Sequence, residues 1–293
     1  MASLKEIRGR IGSVKSTQKI TSAMKMIASS KLRKAQTAIN NFLPYQEKLD
    51  AILTNLLASD TTYDSPFTKQ REVKRTAIVA FSSNSSLCGA FNANIIKEFK
   101  VEYEKKQHLG TDNILIYPVG KKIADAVKKM GLKSQADYRE MADRPSYPAV
   151  QDLAKDLIGK YINGEIDEVV LIFFHFVSTG TQTLKNTVYL PFDLSQNEGA
   201  EANNIHQVDY ILEPSKEEIL ESLIPTVLYS RLYAALLDSN ASEHAARTMA
   251  MQVATDNANE LIKDLTVEYN KTRQQAVTNE LLDIIGGASA LQK

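Results

Sequence analysis

Two long stretches of helical sequence, one at each end of the chain, constrain the fold more than anything between them. Near the N-terminus, positions 4, 7, 11, 14, 18, 21, 25, 28, 32, 35, 39 and 42 follow a strict 3–4 spacing, and nine of the twelve are apolar. That spacing is the seam of a coiled-coil helix. Leu49, Ile52, Leu56 and Leu57 continue the stripe past Pro44, where a kink is expected. At the other end, Ser215 to about Ile285 reads as helix, with Pro225 its only proline and Gly286-Gly287 its expected stop. About 70 residues of helix span roughly 100 Å, too long to be packed inside a globule of this size. Such a helix must project and needs a partner along its length. Ala246, Ala250, Ala254 and Ala258 recur every four residues, with Ala241 and Ala245 just before them, and predict a close-packing ridge.

Between the two helices, strand and helix signals alternate. Residues 76–82, 113–119, 168–178 and 186–192 read as strands, and residues 92–107, 121–130 and 148–163 as helices. The run 168–178 is apolar on both faces, which suits a central strand. This order predicts a small Rossmann-like α/β domain with a largely parallel sheet. Residues 58–75 are polar and read as a linker, residues 195–207 as a loop and Tyr210–Leu212 as a last short strand. The expected organisation is an N-terminal coiled-coil helix (1–57), an α/β domain (76–214) and a C-terminal coiled-coil helix (215–293). Each long helix buries its seam most cheaply against the other, and both leave one domain, so an antiparallel pair is expected.

Net charge is zero over the 293 residues, but it is not evenly spread. Residues 1–57 carry ten Lys/Arg against three Asp/Glu (+7), residues 58–214 carry 18 against 21 (−3), and residues 215–293 carry seven against eleven (−4). Four readings fit the basic segment: a transit peptide, a nucleic-acid-binding arm, a membrane-surface helix and the solvated face of a coiled coil. The long seam favours the last. A basic helix beside an acidic one also favours their pairing, although exposed ion pairs are each worth only a few tenths of a kcal/mol. No apolar run is long enough to span a membrane.

Catalytic motifs are missing. No G-x-x-x-x-G-K-[ST] or G-x-G-x-x-G occurs, and Gly120-Lys121-Lys122 is only an echo of a phosphate loop. His108, His175, His206 and His244 lack metal-ligand spacing, and Cys88 is the single cysteine, so no metal site, disulfide or cofactor is expected. The loop 82–94 follows the first strand and precedes a helix, where α/β domains hold phosphates, but Gly89 is its one glycine and a plain turn is the stronger expectation. From residues alone the chain reads as a non-catalytic scaffolding or mechanical part. A coiled-coil protein binding nucleic acid through its basic helix is the alternative, weakened because residues 1–41 contain no aromatic side chain.

Particular motifs then point to a family. Residues 16–36 (STQKITSAMKMIASSKLRKAQ) resemble the N-terminal helix of the gamma subunits of F-type ATP synthases, most closely at Thr17–Thr21 and Ala23–Met26. Ala241–Ala258 and Tyr269–Leu291 look like that family's C-terminal helix and its signature. Leu87-Cys88-Gly89 and residues 209–214 match as well, so the resemblance covers the chain in order. It implies a central-stalk rotor with no chemistry of its own, set inside three alpha and three beta subunits. The base would rest with the epsilon subunit on the c-subunit ring, turned by proton flow. Contact with the membrane would be indirect, on the cytoplasmic face in a bacterium, and no nucleic acid would bind.

By the same resemblance, Met24, Lys25, Arg273, Gln274, Thr278, Glu280 and Asp283 would contact beta subunits. Tyr210 and Leu212 would face the c ring or epsilon, and the apolar tip at Leu281, Leu282, Ile284 and Ile285 would run in an apolar sleeve. One departure stands out. Asn84-Ser85-Ser86 replace the charged residues usual in the family before Leu87-Cys88-Gly89, which removes the basis for charged contacts from that loop.

Overall fold

A computed structural model of the chain describes residues 3–58, 66–69, 71–192 and 212–291. Strands β1 (Thr76–Phe81), β2 (Ile114–Val119), β3 (Glu168–Phe176) and β4 (Gln182–Leu190) form one sheet in the order β2-β1-β3-β4. β1 pairs parallel with both β2 and β3, and β4 returns antiparallel beside β3. All six residues of β1 are buried because both faces of the sheet are covered. Ala77, Val79 and Phe81 point into one core with helix α5 (Tyr147–Ile162). Ile78 and Ala80 point into the other, with α2 (Phe91–Lys106) and α3 (Lys121–Lys129). The expected alternation of strand and helix is therefore a three-layer α/β arrangement.

Local differences from the expected elements have local causes. A short helix, α4 (Arg139–Asp143), lies where no signal was read, since five residues are too few to show a period. β4 begins at Gln182 rather than 186 because Ser178 and Thr181 exchange backbone hydrogen bonds in a tight hairpin. The expected linker is partly packed. Phe67 is buried, its carbonyl accepts the Phe192 amide, and the Arg71 guanidinium lies 5.3 Å from the centre of the Tyr161 ring. Leu212 lies outside any strand, half-buried against the core, and Tyr210 is outside the described residues.

The terminal helices are α1 (Leu4–Ala58) and α6 (Lys216–Leu291). Both continue through their prolines, Pro44 and Pro225. Gly286 and Gly287 do not stop α6, since neither adopts the positive φ that ends a helix. Each costs only about 1 kcal/mol relative to alanine inside a helix.

The chain divides into two compact units, residues 29–247 and residues 1–28 with 248–293. In the larger, the terminal helices join the sheet's own core. Leu53 and Leu56 of α1 and Leu220, Ile224, Val227, Leu228, Leu232 and Leu236 of α6 belong to the same apolar cluster as α5 and one face of β1. Within this unit the two helices run antiparallel, as expected. Asp50 pairs with Arg231 at 3.0 Å, Phe42 meets Tyr233 edge to face at 4.9 Å, and Leu32 and Ala35 pack with Ala241 and Ala245.

In the smaller unit, Ile7 and Ala28 of α1 and Met251, Thr255, Ala258 and Leu265 of α6 are buried. The hydroxyls of Thr21 and Thr255 share a hydrogen bond of 2.8 Å. All twelve positions of the N-terminal seam are buried or half-buried, including the polar Gln18, Thr21 and Lys25. The alanine ridge needs correction. Ala246, Ala250 and Ala254 are only half-buried, and the seam of α6 there is 251, 255, 258, 262 and 265. A four-residue step overshoots a full helical turn by about 40°, so such a ridge walks off the contact face, whereas alternating 3–4 steps stay on it.

Gly120 gives a direct test of the sheet's upper edge. It sits at φ +100°, and a Cβ there would lie 2.2 Å from the Ser82 carbonyl oxygen. Gly120→Ala is expected to destabilise the fold by about 3 kcal/mol or more, read as a lower urea midpoint. An unchanged midpoint would contradict this packing.

Candidate functional site

In an open α/β sheet the place for a ligand is the crevice at the carboxyl ends of the parallel strands. Here two features close it. The first is the loop after β1. The Ile123 amide donates to Ser82 Oγ at 3.0 Å, the Lys122 amide to the Ser83 carbonyl at 3.1 Å and the Lys121 amide to Asn84 Oδ1 at 2.7 Å. These are the free amides that make a helix N-terminus an anion site. All three are occupied by the chain itself, so the Gly120-Lys121-Lys122 echo carries no phosphate cradle.

The second feature is α6. Leu236, Ser239, Asn240 and Glu243 lie over Phe81, Ser82 and Val119, the ends of β1 and β2, and leave a cavity of only about 10 Å³. Ser242 Oγ donates to the Phe174 carbonyl at 3.3 Å, and Asn240 Nδ2 donates to the Ala142 carbonyl at 3.0 Å. A nucleotide has no room there. Among the described residues no group of three or more His, Cys, Asp or Glu converges on a metal position.

Beside this closure lies a buried ionic cluster. Arg247 donates to Glu243 Oε1 at 2.7 Å, to Ser85 Oγ at 2.8 Å and to the Ser86 carbonyl. Asn84 Nδ2 donates to the Arg139 carbonyl at 2.8 Å. The Ser85 hydroxyl and the Ser86 carbonyl thus meet a cation supplied by α6. Burial raises the Glu243 carboxyl above its ordinary value, opposed by Arg247 and Lys31. Burial also pushes the His244 imidazole down to about 4, helped by repulsion from Lys31 and Arg247 and opposed by Asp143.

The surfaces open to a partner lie elsewhere. Of the nine bases between Lys5 and Lys34, eight are exposed and Lys25 is half-buried. Among the described residues, none of the nine lies within ion-pairing distance of a carboxylate. Among the described residues, the ion pair between α1 and α6 has the opposite polarity, with the acid on α1 (Asp50) and the base on α6 (Arg231). The expected pairing of a basic helix with an acidic one is therefore not built from salt bridges.

Arg273, Gln274, Thr278, Glu280 and Asp283 are all exposed on α6, where Thr278 Oγ1 donates only to the Gln274 carbonyl one turn back at 2.9 Å. Met24 is half-buried, whereas Ile20, Met26 and Ile27 are 60–66% exposed, so the apolar face of α1 open to a partner is off the seam. Nothing in the motif around Met24 distinguishes the two faces; the heptad register does. The tip residues Leu281, Leu282, Ile284 and Ile285 are 55–67% exposed. No helix among the described residues is long and apolar enough to cross a membrane.

A family model described as ATP synthase matches residues 3–291. The chain is 57% identical to the ATP synthase gamma chain of Phocaeicola vulgatus and 60% identical to that of Bacteroides fragilis, each over 99% of this chain and all of the relative. Two solved structures share the fold. A chain of the Euglena gracilis mitochondrial ATP synthase (OSCP/F1/c-ring) aligns at a TM-score of 0.64 and 19% identity, over 98% of this chain and 94% of its own. One from the central stalk/c-ring structure of the Tetrahymena thermophila mitochondrial enzyme aligns at 0.58 and 24%, over 80% and 99%.

The buried imidazole predicts an acid-sensitive step. Between pH 6.5 and about 4 the unfolded chain binds a proton at His244 that the folded chain refuses, so this contribution to stability is full above pH 6.5 and declines as the pH falls. The raised Glu243 carboxyl acts in the opposite sense, because the folded chain takes up its proton more readily. Comparing His244→Gln with the parent isolates the imidazole. On going from pH 7.5 to pH 5, the parent is expected to lose roughly 2 kcal/mol more unfolding free energy than the variant. Equal losses in urea titrations would contradict the burial of a neutral His244.

Proposed function

The chain belongs to the ATP synthase gamma-chain family, and from that premise we propose that it is the central-stalk rotor of an F-type ATP synthase, coupling proton-driven rotation of a c ring to conformational changes in catalytic beta subunits. The observation that carries the reading is a division of labour within the chain. The α/β domain's own ligand crevice is shut by α6, while the charged and apolar groups of the terminal helices are exposed. A chain built this way is suited to act through its surfaces.

In this reading residues 1–57 and 215–293 form the coiled coil and residues 76–214 the foot. The helices sit within three alpha and three beta subunits. The foot, including Tyr210 and Leu212, meets the epsilon subunit and the c ring at the cytoplasmic face of a bacterial membrane. The exposed bases of α1 attract acidic loops at long range without fixing one geometry, because exposed pairs are weak and screened. That suits a surface that must pass three beta subunits in turn. Met24, Lys25, Arg273, Gln274, Thr278, Glu280 and Asp283 are the proposed contacts with beta. The exposure of the five on α6 supports the assignment, and Ile20, Met26 and Ile27 extend it on α1.

Two outcomes follow. The chain is expected to co-purify with alpha and beta subunits, and absence of that association would contradict the reading. Scrambling residues 269–291 is expected to abolish ATP-driven proton pumping in membrane vesicles while the foot still folds. Pumping that survived the scramble at the parental rate would remove the C-terminal signature from the coupling surface.

A further inference from the structure

The α6 helix is fastened to the α/β domain by two chemically different sets of contacts. From Leu220 to Leu236 the contact is mainly apolar, with one hydrogen bond from the Tyr189 hydroxyl to the Leu228 carbonyl at 2.9 Å and Arg231 over the Phe192 ring. Apolar packing is non-directional and resists separation more than it resists rotation about the helix axis. From Asp238 to Arg247 the contact is polar and directional. Asp238 Oδ2 lies 2.6 Å from His175 Nδ1 at the end of β3. Asn240 Nδ2 donates to the Ala142 carbonyl of α4, and Ser242 Oγ donates to the Phe174 carbonyl. Arg247 holds the backbone and hydroxyl of the loop after β1 through Ser86 and Ser85. These partners come from a strand end, a helix and a loop, and so grip α6 from different directions. Hydrogen bonds weaken steeply with angle, and a twist of α6 would bend all four contacts at once.

We infer that Asp238, Asn240, Ser242 and Arg247 form a torsional latch, positioning residues that make α6 and the α/β domain turn as one body. The latch occupies the crevice where a domain of this topology holds a ligand. That site is used here to grip the chain's own helix. The inference rests on the rotor reading above, and it assigns the passage of torque between helix and foot to four named side chains.

The test uses the complete complex immobilised through its beta subunits, with a bead on the foot, and reads the angular variance of the bead during catalytic pauses. The double variant Asp238→Ala/Asn240→Ala is expected to widen that variance at least about twofold, with ATP hydrolysis retained. Asp238→Asn, which keeps an acceptor for His175, is expected to stay near the parent. Leu236→Ala weakens the apolar contact and is expected to lower thermal stability without the same gain in variance. Should the double variant fail to assemble, Asn240→Ala alone, which loses one bond, is expected to give a smaller widening. Variance equal to the parent's in the variants that assemble would overturn the latch. A parental bead that never turns with ATP would instead overturn the rotor reading.

Discussion

The larger unit depends on one placement, that of α6 across the carboxyl ends of β1, β2 and β3. The apolar first turns of the helix complete the core beneath one face of the sheet, from Leu220 to Leu236. The polar turns that follow fill the crevice above the strand ends. Because the same helix does both, it cannot leave the crevice without breaking the core. The usual ligand position of an open α/β sheet is thereby committed to structure. The loop after β1 reinforces this by using its own Ser82, Ser83 and Asn84 to satisfy the first amides of α3.

Much of this was legible in the sequence, and the reasons are physical. Heptad spacing is a long, redundant signal, so the N-terminal seam came out position by position, polar exceptions included. The buried strands were visible as short apolar runs because both of their faces are covered. What escaped was short or depended on partners distant in sequence. Five residues of α4 carry no period. The Thr21–Thr255 hydrogen bond joins two residues that look like ordinary surface threonines. The alanine ridge misleads because a four-residue repeat is conspicuous in a sequence although it does not follow one face of a helix. The role of Asp238, Asn240 and Arg247 could be found only once the helix lay on the sheet. Of the surface residues assigned by family resemblance, the motif located the segments, and only the register separated half-buried Met24 from exposed Met26 and Ile27.

Charge divides along the same line between internal and external use. Inside, ionic groups are held in definite geometry: Arg247 with Glu243 along α6, and Arg231 of α6 with Asp50 of α1. Outside, the bases of α1 stand exposed. The zero net charge conceals this arrangement, in which Arg231 ties α6 to Asp50 of α1, Arg247 reaches the loop after β1, and the exposed bases are left to act at long range on whatever surrounds them. A rotor needs both properties, a rigid attachment at one place and a surface without a preferred angle at another.

The most direct measurement of the central claim is rotation itself. With the beta subunits fixed to a support and a probe attached to the exposed face of α2 at Val101→Cys, which is 38% exposed in the parent, ATP addition is expected to drive stepwise turning in one direction. ATP hydrolysis that proceeds while the probe stays stationary would contradict the claim that this chain carries motion between the catalytic subunits and the membrane.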